Sequence, residues 1–393
     1  MNTFIISQRV FFLFLLLGLG ACQQKNKDLD TNVSIEEIHV NDFDEHAIAY
    51  KDFVYAYHFV PLETTDSCLV GNVLGVEVTE ERIFILDDKD KLWVFDTDGK
   101  YVGRIGTQGP GPEEYSHASK FYVNESKGHI GILDLTSNRV FRYTLDNKFI
   151  NQIRFEFDLA CTGVVTVNNG ETVLLLSSNS KQEKYNYAAY DESDFSLISY
   201  QIPFRILGEE GCSNPMLLAH NAGASSLALA MNSDTIYQWK ENRLQPAFLV
   251  EGGLKHITAE ALMEKTPHDC ATAVGIRLAR EDGYSMGVQE LYATDRYWCL
   301  EYPSKDMTLF VDWEQGEKRM LRPEKATILS TFSFGATSTT NTSLIRCLSV
   351  GDMEFIKEDL KDNNHPEFHE LYGRLTEDSN PVIGVLDYGK LFK

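Results

Sequence analysis

Apolar and polar positions along residues 82–150 follow one pattern stated twice. The first copy, RIFILDDKDKLWVFDTDGKYV, spans 82–102, and the second, HIGILDLTSNRVFRYTLDNKFI, spans 129–150. Ile85, Leu86 and Asp87 recur 47 positions on as Ile132, Leu133 and Asp134. Trp93, Phe95, Asp98, Lys100 and Val102 recur 48 positions on as Phe141, Tyr143, Asp146, Lys148 and Ile150, so the second copy carries one extra loop residue. Each copy holds short runs of β-branched and aromatic residues separated by turn residues, which reads as adjacent strands. A strand-rich unit of this length cannot bury both of its faces alone. Its repetition predicts a propeller or another repeated array.

The same reading extends along the chain. Blade one is predicted from Val73–Val78, Ile83–Leu86, Leu92–Phe95 and Tyr101–Ile105, with Asp98-Gly99 as its hairpin turn. Blade two runs over about 120–155, with Asn147 in place of the turn glycine. Blade three runs over about 161–204, with Thr172–Leu176 as its clearest strand and 177–184 as a long hairpin loop. Blade four covers about 216–250, where SDTIYQWKENRLQPAFLV repeats the strand–turn–strand plan around Glu241-Asn242. Blade five covers about 284–321, with YWCLEY and MTLFVDW as neighbouring strands. Blade six starts near Ile328, includes 343–350 and takes 381–386 as a final strand. Residues 34–61, including Phe53–Val60, are expected to supply a strand that closes the ring.

Two stretches switch to helical spacing. Residues 255–281 place Thr258 as an N-cap and recur in apolar residues at Ala261, Leu262, Ala271, Val274 and Leu278, with Pro267 splitting the stretch. Residues 352–375 offer Asp352 as an N-cap and Phe355, Leu360, Phe368, Leu371 and Leu375 as the apolar face. The expected fold is all-β: a six-bladed β-propeller of four-stranded antiparallel blades, with a helical insertion near 255–281 and a short helix near 352–375.

Composition narrows the class. The 393 residues are 43% hydrophobic and 11% aromatic, enough to bury a sizeable core. The net charge of −22 sets the surface against phosphate backbones, so no nucleic acid is expected as a partner. The seven cysteines form no CxxC pair, so a zinc or thioredoxin-type motif is not indicated. Cys161, Cys299 and Cys347 lie in apolar strands and read as buried thiols. A Cys212–Cys270 bridge stays open, because spacing does not fix connectivity.

The N-terminus has its own pattern. Val10–Leu19 is apolar, follows Arg9, and is too short to span a bilayer. It suits the hydrophobic region of a signal peptide over 1–21. It ends in Leu19-Gly20-Ala21-Cys22, which resembles the lipobox of bacterial lipoproteins. The expectation is lipidation at Cys22, a polar lipidated tether over 22–33 and the propeller over 34–393.

GRIGTQGPGPEEY (103–115), followed by ILDLTSNRVFRY, resembles an NHL-type blade boundary. With the lipobox, SDTIYQW and the terminal NPVIGVL, the chain resembles the six-bladed β-propeller lipoproteins of Bacteroidetes. That resemblance implies a propeller on a membrane anchor, in the outer membrane. The family carries no agreed catalytic motif, so it transfers no catalytic residue.

Gly106, Gly109 and Gly111 lack the strand-before, helix-after context of a phosphate loop, and read as a rigid connection between blades. Glu113 and Glu114 are neighbours on an extended chain, point apart, and read as a solvated face. Trp93, Phe141 and Trp239 recur at one blade position, which argues for packing rather than sugar stacking. His268-Asp269-Cys270 has no placed partner for nucleophilic chemistry. An axial metal would need oxygen ligands where inner strands start. The expected starts follow Asn72, Ser119, Cys161, Asn214, Ser285 and Ile328, a set without a carboxylate. The sequence thus assigns no catalytic, cofactor or metal residue. It points to a binding module at the cell envelope for a glycan, peptide or protein. An axial-site hydrolase, lactonase or lyase and a scaffold subunit of an envelope complex are the alternatives.

Overall fold

The computed structural model describes residues 35–44, 48–156, 161–177, 184–204, 218–221, 226–230, 233–256, 281–285, 287–302, 306–322, 329, 336–360 and 365–393. Ile35–Lys393 form one compact unit built on six sheets in a ring, a six-bladed β-propeller. Blade one is Val73–Val78, Arg82–Asp87, Leu92–Asp96 and Tyr101–Ile105, from the axis outward. Blade two is Lys120–Asn124, His129–Asp134, Arg139–Thr144 and Phe149–Arg154. Blade three is Cys161–Val167, Thr172–Ser177, Tyr185–Asp191 and Leu197–Pro203. These three follow the predicted strands closely.

The other blades borrow strands. Blade four has Leu227–Leu229, Thr235–Lys240 and Arg243–Glu251, and takes Glu36–His39 as an outer strand in parallel. Blade five has Glu290–Ala293, Tyr297–Tyr302, Met307–Asp312 and Glu317–Leu321. Blade six has Thr337–Thr339, Ser343–Leu348 and Val382–Asp387, and takes Tyr57–Pro61 as an antiparallel outer strand. The ring therefore closes through the N-terminal segment, as expected. Phe53 itself belongs to a helix, Tyr50–Tyr55, that leads into that strand.

The core is a chain of inter-blade seams. Phe84 and Val94 of blade one pack with Ile132 and Phe141 of blade two. Leu133 and Val140 pack with Val173 and Leu175 of blade three. Ile85 and Trp93 meet Ile345, Cys347 and Ile383 of blade six. Each sheet is thus buried on both faces by its neighbours, which explains its near-continuous apolar strands. Trp93, Phe141 and Trp239 are all buried in these seams and serve packing.

Tight turns use the residues the sequence marked. Gly99 has φ +83° and Asn147 +61°, and Glu241-Asn242 have +52° and +60°. Two successive positive φ values suit a two-residue hairpin turn.

Several expectations are corrected. Strand Leu218–Asn221 does not open blade four. It runs parallel to Glu290–Ala293 and lies against the inner strands of blades three, four and six, so it fills part of the axis. The inner strands of blades four, five and six start at Leu227, Glu290 and Thr337, not after Asn214, Ser285 and Ile328. Short inner strands, of three residues in blades four and six, carry too little alternation to fix their position. The helical stretch near 352–375 is two helices, Val350–Asp359 and Pro366–Tyr372. Ser349, not Asp352, is the first N-cap; Asp352 closes the capping box by accepting from the Ser349 backbone N–H at 2.8 Å. Phe355 is 64% exposed rather than packed. Cys161 is half-buried, whereas Cys299 and Cys347 are buried. Most of the 255–281 insertion lies outside the described residues, but its flanks Lys255–His256 and Tyr284–Ser285 pair in parallel. Cys22, the 1–21 leader, Cys212 and His268-Asp269-Cys270 also lie outside them. No helix among the described residues is long and apolar enough to cross a membrane.

Candidate binding face

The face on which the innermost strands finish carries two adjoining depressions. One is a narrow axial cleft of about 70 Å³ between Glu77, Val78, Tyr122, Val123, Glu125, Val164–Thr166, Ser338 and Thr339. It is lined by the inner strands of blades one, two, three and six. Ser338 Oγ donates to Glu77 Oε2 at 3.1 Å. Burial pushes the Glu77 carboxyl up to about 7, against that hydrogen bond. Burial also raises Glu125, helped by the charge of Glu80.

The second depression is a groove of about 320 Å³ between blades six and one. Val60, Val78, Ile83, Ile345, Ile383 and Val385 floor it. Its rim is His58, Thr79, Glu80, Thr97, Thr340, Asn341, Thr342 and Ser343. Burial and the nearby Lys390 charge lower the His58 pKa. Val78 lines both depressions, and Ser338–Ser343 pass from one into the other. This volume falls in the range of small-ligand sites, and an apolar floor with a few polar rim groups is their usual make-up.

Carboxylates elsewhere in the propeller are held by structural bonds. Asp87, wholly buried, accepts from the backbone N–H groups of Gly71, Lys89 and Lys91 at 3.0 Å each and from Trp93 Nε1 at 2.8 Å. Asp134, its repeat counterpart, accepts from Ser116 N and Oγ at 2.9 and 2.6 Å and from Thr136 N and Ser137 N. The repeated Asp thus ties the loop arriving from the previous blade to its own second strand. Glu192 joins blades three and two, meeting Tyr122 OH at 3.0 Å, His129 Nε2 at 2.8 Å, Arg142 at 3.1 Å and Lys127 Nζ at 3.2 Å.

A second buried cluster lies between blades five and six. Glu290 and Glu301 stand opposite each other on neighbouring strands, and Tyr292 OH donates to Glu290. Burial, then the Glu301 charge, lifts Glu290 to about 8, and the buried Arg346 works against that rise. Sequence reasoning missed Glu290 at an inner-strand start because it placed that strand four residues early. No three His, Cys, Asp or Glu side chains converge as a metal set among the described residues.

The expected axial positions do not converge. Asn72 Nδ2 bonds Asp88 at 2.7 Å, Ser119 Oγ accepts from Leu135 N at 3.2 Å, and Ser285 Oγ donates to Asp234 at 2.5 Å. Asn214 and Ile328 lie outside the described residues. The glycine loop is the rigid connection expected. Gly111 N donates to Glu114 Oε2 at 2.9 Å, and a Cβ on Gly109 would meet that carboxylate. Glu114 is therefore folded into the loop rather than solvated, while Glu113 is exposed. The signal for the groove was the uncharged hydroxyl and amide run TSTTNTS at 337–343 in an acidic chain.

The ring of sheets defines a six-bladed β-propeller with a clefted face. The chain belongs to the family of the domain of unknown function DUF4934, which matches residues 35–387. No curated protein matches it. Among solved structures it is similar to a Bacteroides fragilis protein described as "Putative exported protein", with 18% identity and a TM-score of 0.64 over 90% of this chain and 99% of that one. It is also similar to a DUF4221-family member from Bacteroides vulgatus, with 9% identity and a TM-score of 0.46 over 84% and 97% of the two chains. Virginiamycin B lyase from Staphylococcus aureus matches at 13% identity and a TM-score of 0.40 over 74% and 80%. The first likeness speaks for the fold alone, and the two lower scores carry no argument.

Proposed function

We propose that this protein is a binding module of the bacterial cell envelope, held at the outer membrane by lipid on Cys22. It recognises a glycan, peptide or protein with the face on which its innermost strands finish. The observation that carries this reading is the groove between blades six and one. Its floor is apolar, and the Thr340-Asn341-Thr342-Ser343 rim offers neutral donors and acceptors. Such groups orient a ligand through hydrogen bonds. The envelope half rests on Leu19-Gly20-Ala21-Cys22 after an apolar leader.

Glu77 favours a second reading, an axial-site hydrolase or lyase. A carboxyl titrating near neutrality beside a hydroxyl suits general acid–base work. The two readings separate in one set of assays. Glycan and peptide arrays are probed with the native chain, Thr342→Trp and Glu77→Gln, and lactone and ester turnover is measured alongside metal content. Binding lost in Thr342→Trp without turnover supports the module. Turnover lost in Glu77→Gln supports the enzyme. A stoichiometric co-purifying protein with neither activity supports a scaffold. Cys22→Ala is expected to move the protein from the membrane to the soluble fraction.

A further inference from the structure

The outer edges of the blades differ in one respect. An outermost strand offers unpaired N–H and C=O groups, and proteins guard such edges with charge or cover. Blade one's edge carries Arg104 and blade two's carries Arg154. Blade four's is covered by Glu36–His39. Blade five's is bridged by Asp44, which bonds Lys318 O and Met320 N at 3.1 Å each. Blade six's lies under the helix Pro366–Tyr372, where Phe368 meets Phe59 at 5.4 Å between ring centroids.

Blade three's edge, Leu197–Pro203, has neither guard among the described residues. Its surroundings read FSLISYQIPF over 195–204, ten residues without a charge in a chain of net charge −22. Leu197, Ile198 and Tyr200 are 43%, 36% and 48% exposed, and Tyr200 stacks on the exposed Tyr185 at 5.5 Å.

We propose that this edge pairs with the same edge of a second copy, forming a two-fold dimer. Charge selects the occupant. Two copies of so acidic a protein repel over most of their surfaces, and contact is least opposed where neither brings charge. An antiparallel strand edge is self-complementary under two-fold symmetry, so blade three of each copy joins one continuous sheet. Pro203, which has no N–H, ends the pairing register. One short strand makes a small interface, so the dimer is weak and depends on concentration.

Sedimentation velocity of the purified Cys22→Ala chain tests this, with the acyl chain removed as a driver of association. Over about 1 to about 100 µM the sedimentation coefficient is expected to rise from monomer toward dimer, and to rise further in higher salt. Ile198→Lys and Tyr200→Lys, at exposed positions, are expected to weaken association by about tenfold or more. Val102→Lys, on the edge of blade one, leaves it unchanged. Circular dichroism verifies that each variant is folded. A monomer at every concentration and salt overturns the proposal. So does a dimer indifferent to both lysines, or a monomer that instead binds a strand of another protein at this edge.

Discussion

The indole N–H of Trp93 donates to Asp87 at 2.8 Å inside the seam between blades one and six, where neither side chain reaches solvent to any extent. The same carboxylate holds three backbone N–H groups from the loops on either side. Asp87→Ala leaves these donors without their acceptor and is expected to cost about 2–4 kcal/mol of stability. Denaturant unfolding followed by tryptophan fluorescence measures it. Asp134→Ala is expected to cost a similar amount, since Asp134 does the same work for blade two.

Glu192 gives a prediction with a pH sign. Burial acts to raise its pKa. The His129 hydrogen bond and the Arg142 charge outweigh burial and leave the carboxyl below its usual range. A depressed acid stabilises the fold above its unfolded pKa, and that stability is lost as pH falls through the folded value. Glu192→Gln is therefore expected to shrink the loss of stability on acidification, measured by urea unfolding between pH 3 and pH 6 (about the carboxylate range). Glu192→Ala strands Arg142 and is expected to cost about 3–5 kcal/mol at neutral pH.

Glu290 has the opposite sign. Its carboxyl is lifted to about 8 by burial and by Glu301. The folded state holds a proton that the unfolded chain releases above the ordinary range near 4.5. Stability from this site falls as pH rises between those values and levels off above the upper one. Glu290→Gln keeps an acceptor for Tyr292 and is expected to gain stability relative to the native chain at pH 9, about one unit above the upper limit, more than at pH 5, near the lower one. Melting temperatures at the two pH values check this.

Glu241 sits at φ +52° in a two-residue turn, a conformation that glycine adopts without a Cβ clash. Glu241→Gly is expected to stabilise the protein by about 0.5–1 kcal/mol. Chemical denaturation measures it, and a loss would mean that its long contact with Arg243 outweighs backbone strain.

Blades one and two were legible because their turns carry Gly99 and Asn147, and blade three because its strands run to six or seven residues. Asp87 and Asp134 were visible as repeats, but their roles emerge only when loop N–H groups are placed around them. Blades four and six hid their starts in inner strands of three residues. A closing strand was legible within residues 34–61, but which blades its parts 36–39 and 57–61 join leaves no periodic trace. The groove was not found because it joins Val60, Ile83, Ile345 and Ile383, which only the closed ring brings together. Glu114 shows the limit of neighbour reasoning: its side chain turns back onto Gly111 N, which strand alternation does not foresee.

The most direct test of the proposed function is array binding by the native chain beside Thr342→Trp and Thr97→Arg, exposed rim positions where the changes respectively cap and charge the groove. The account predicts saturable binding to one class of glycan or peptide, lost in both variants while their folds are retained. Binding that survives both substitutions would contradict it.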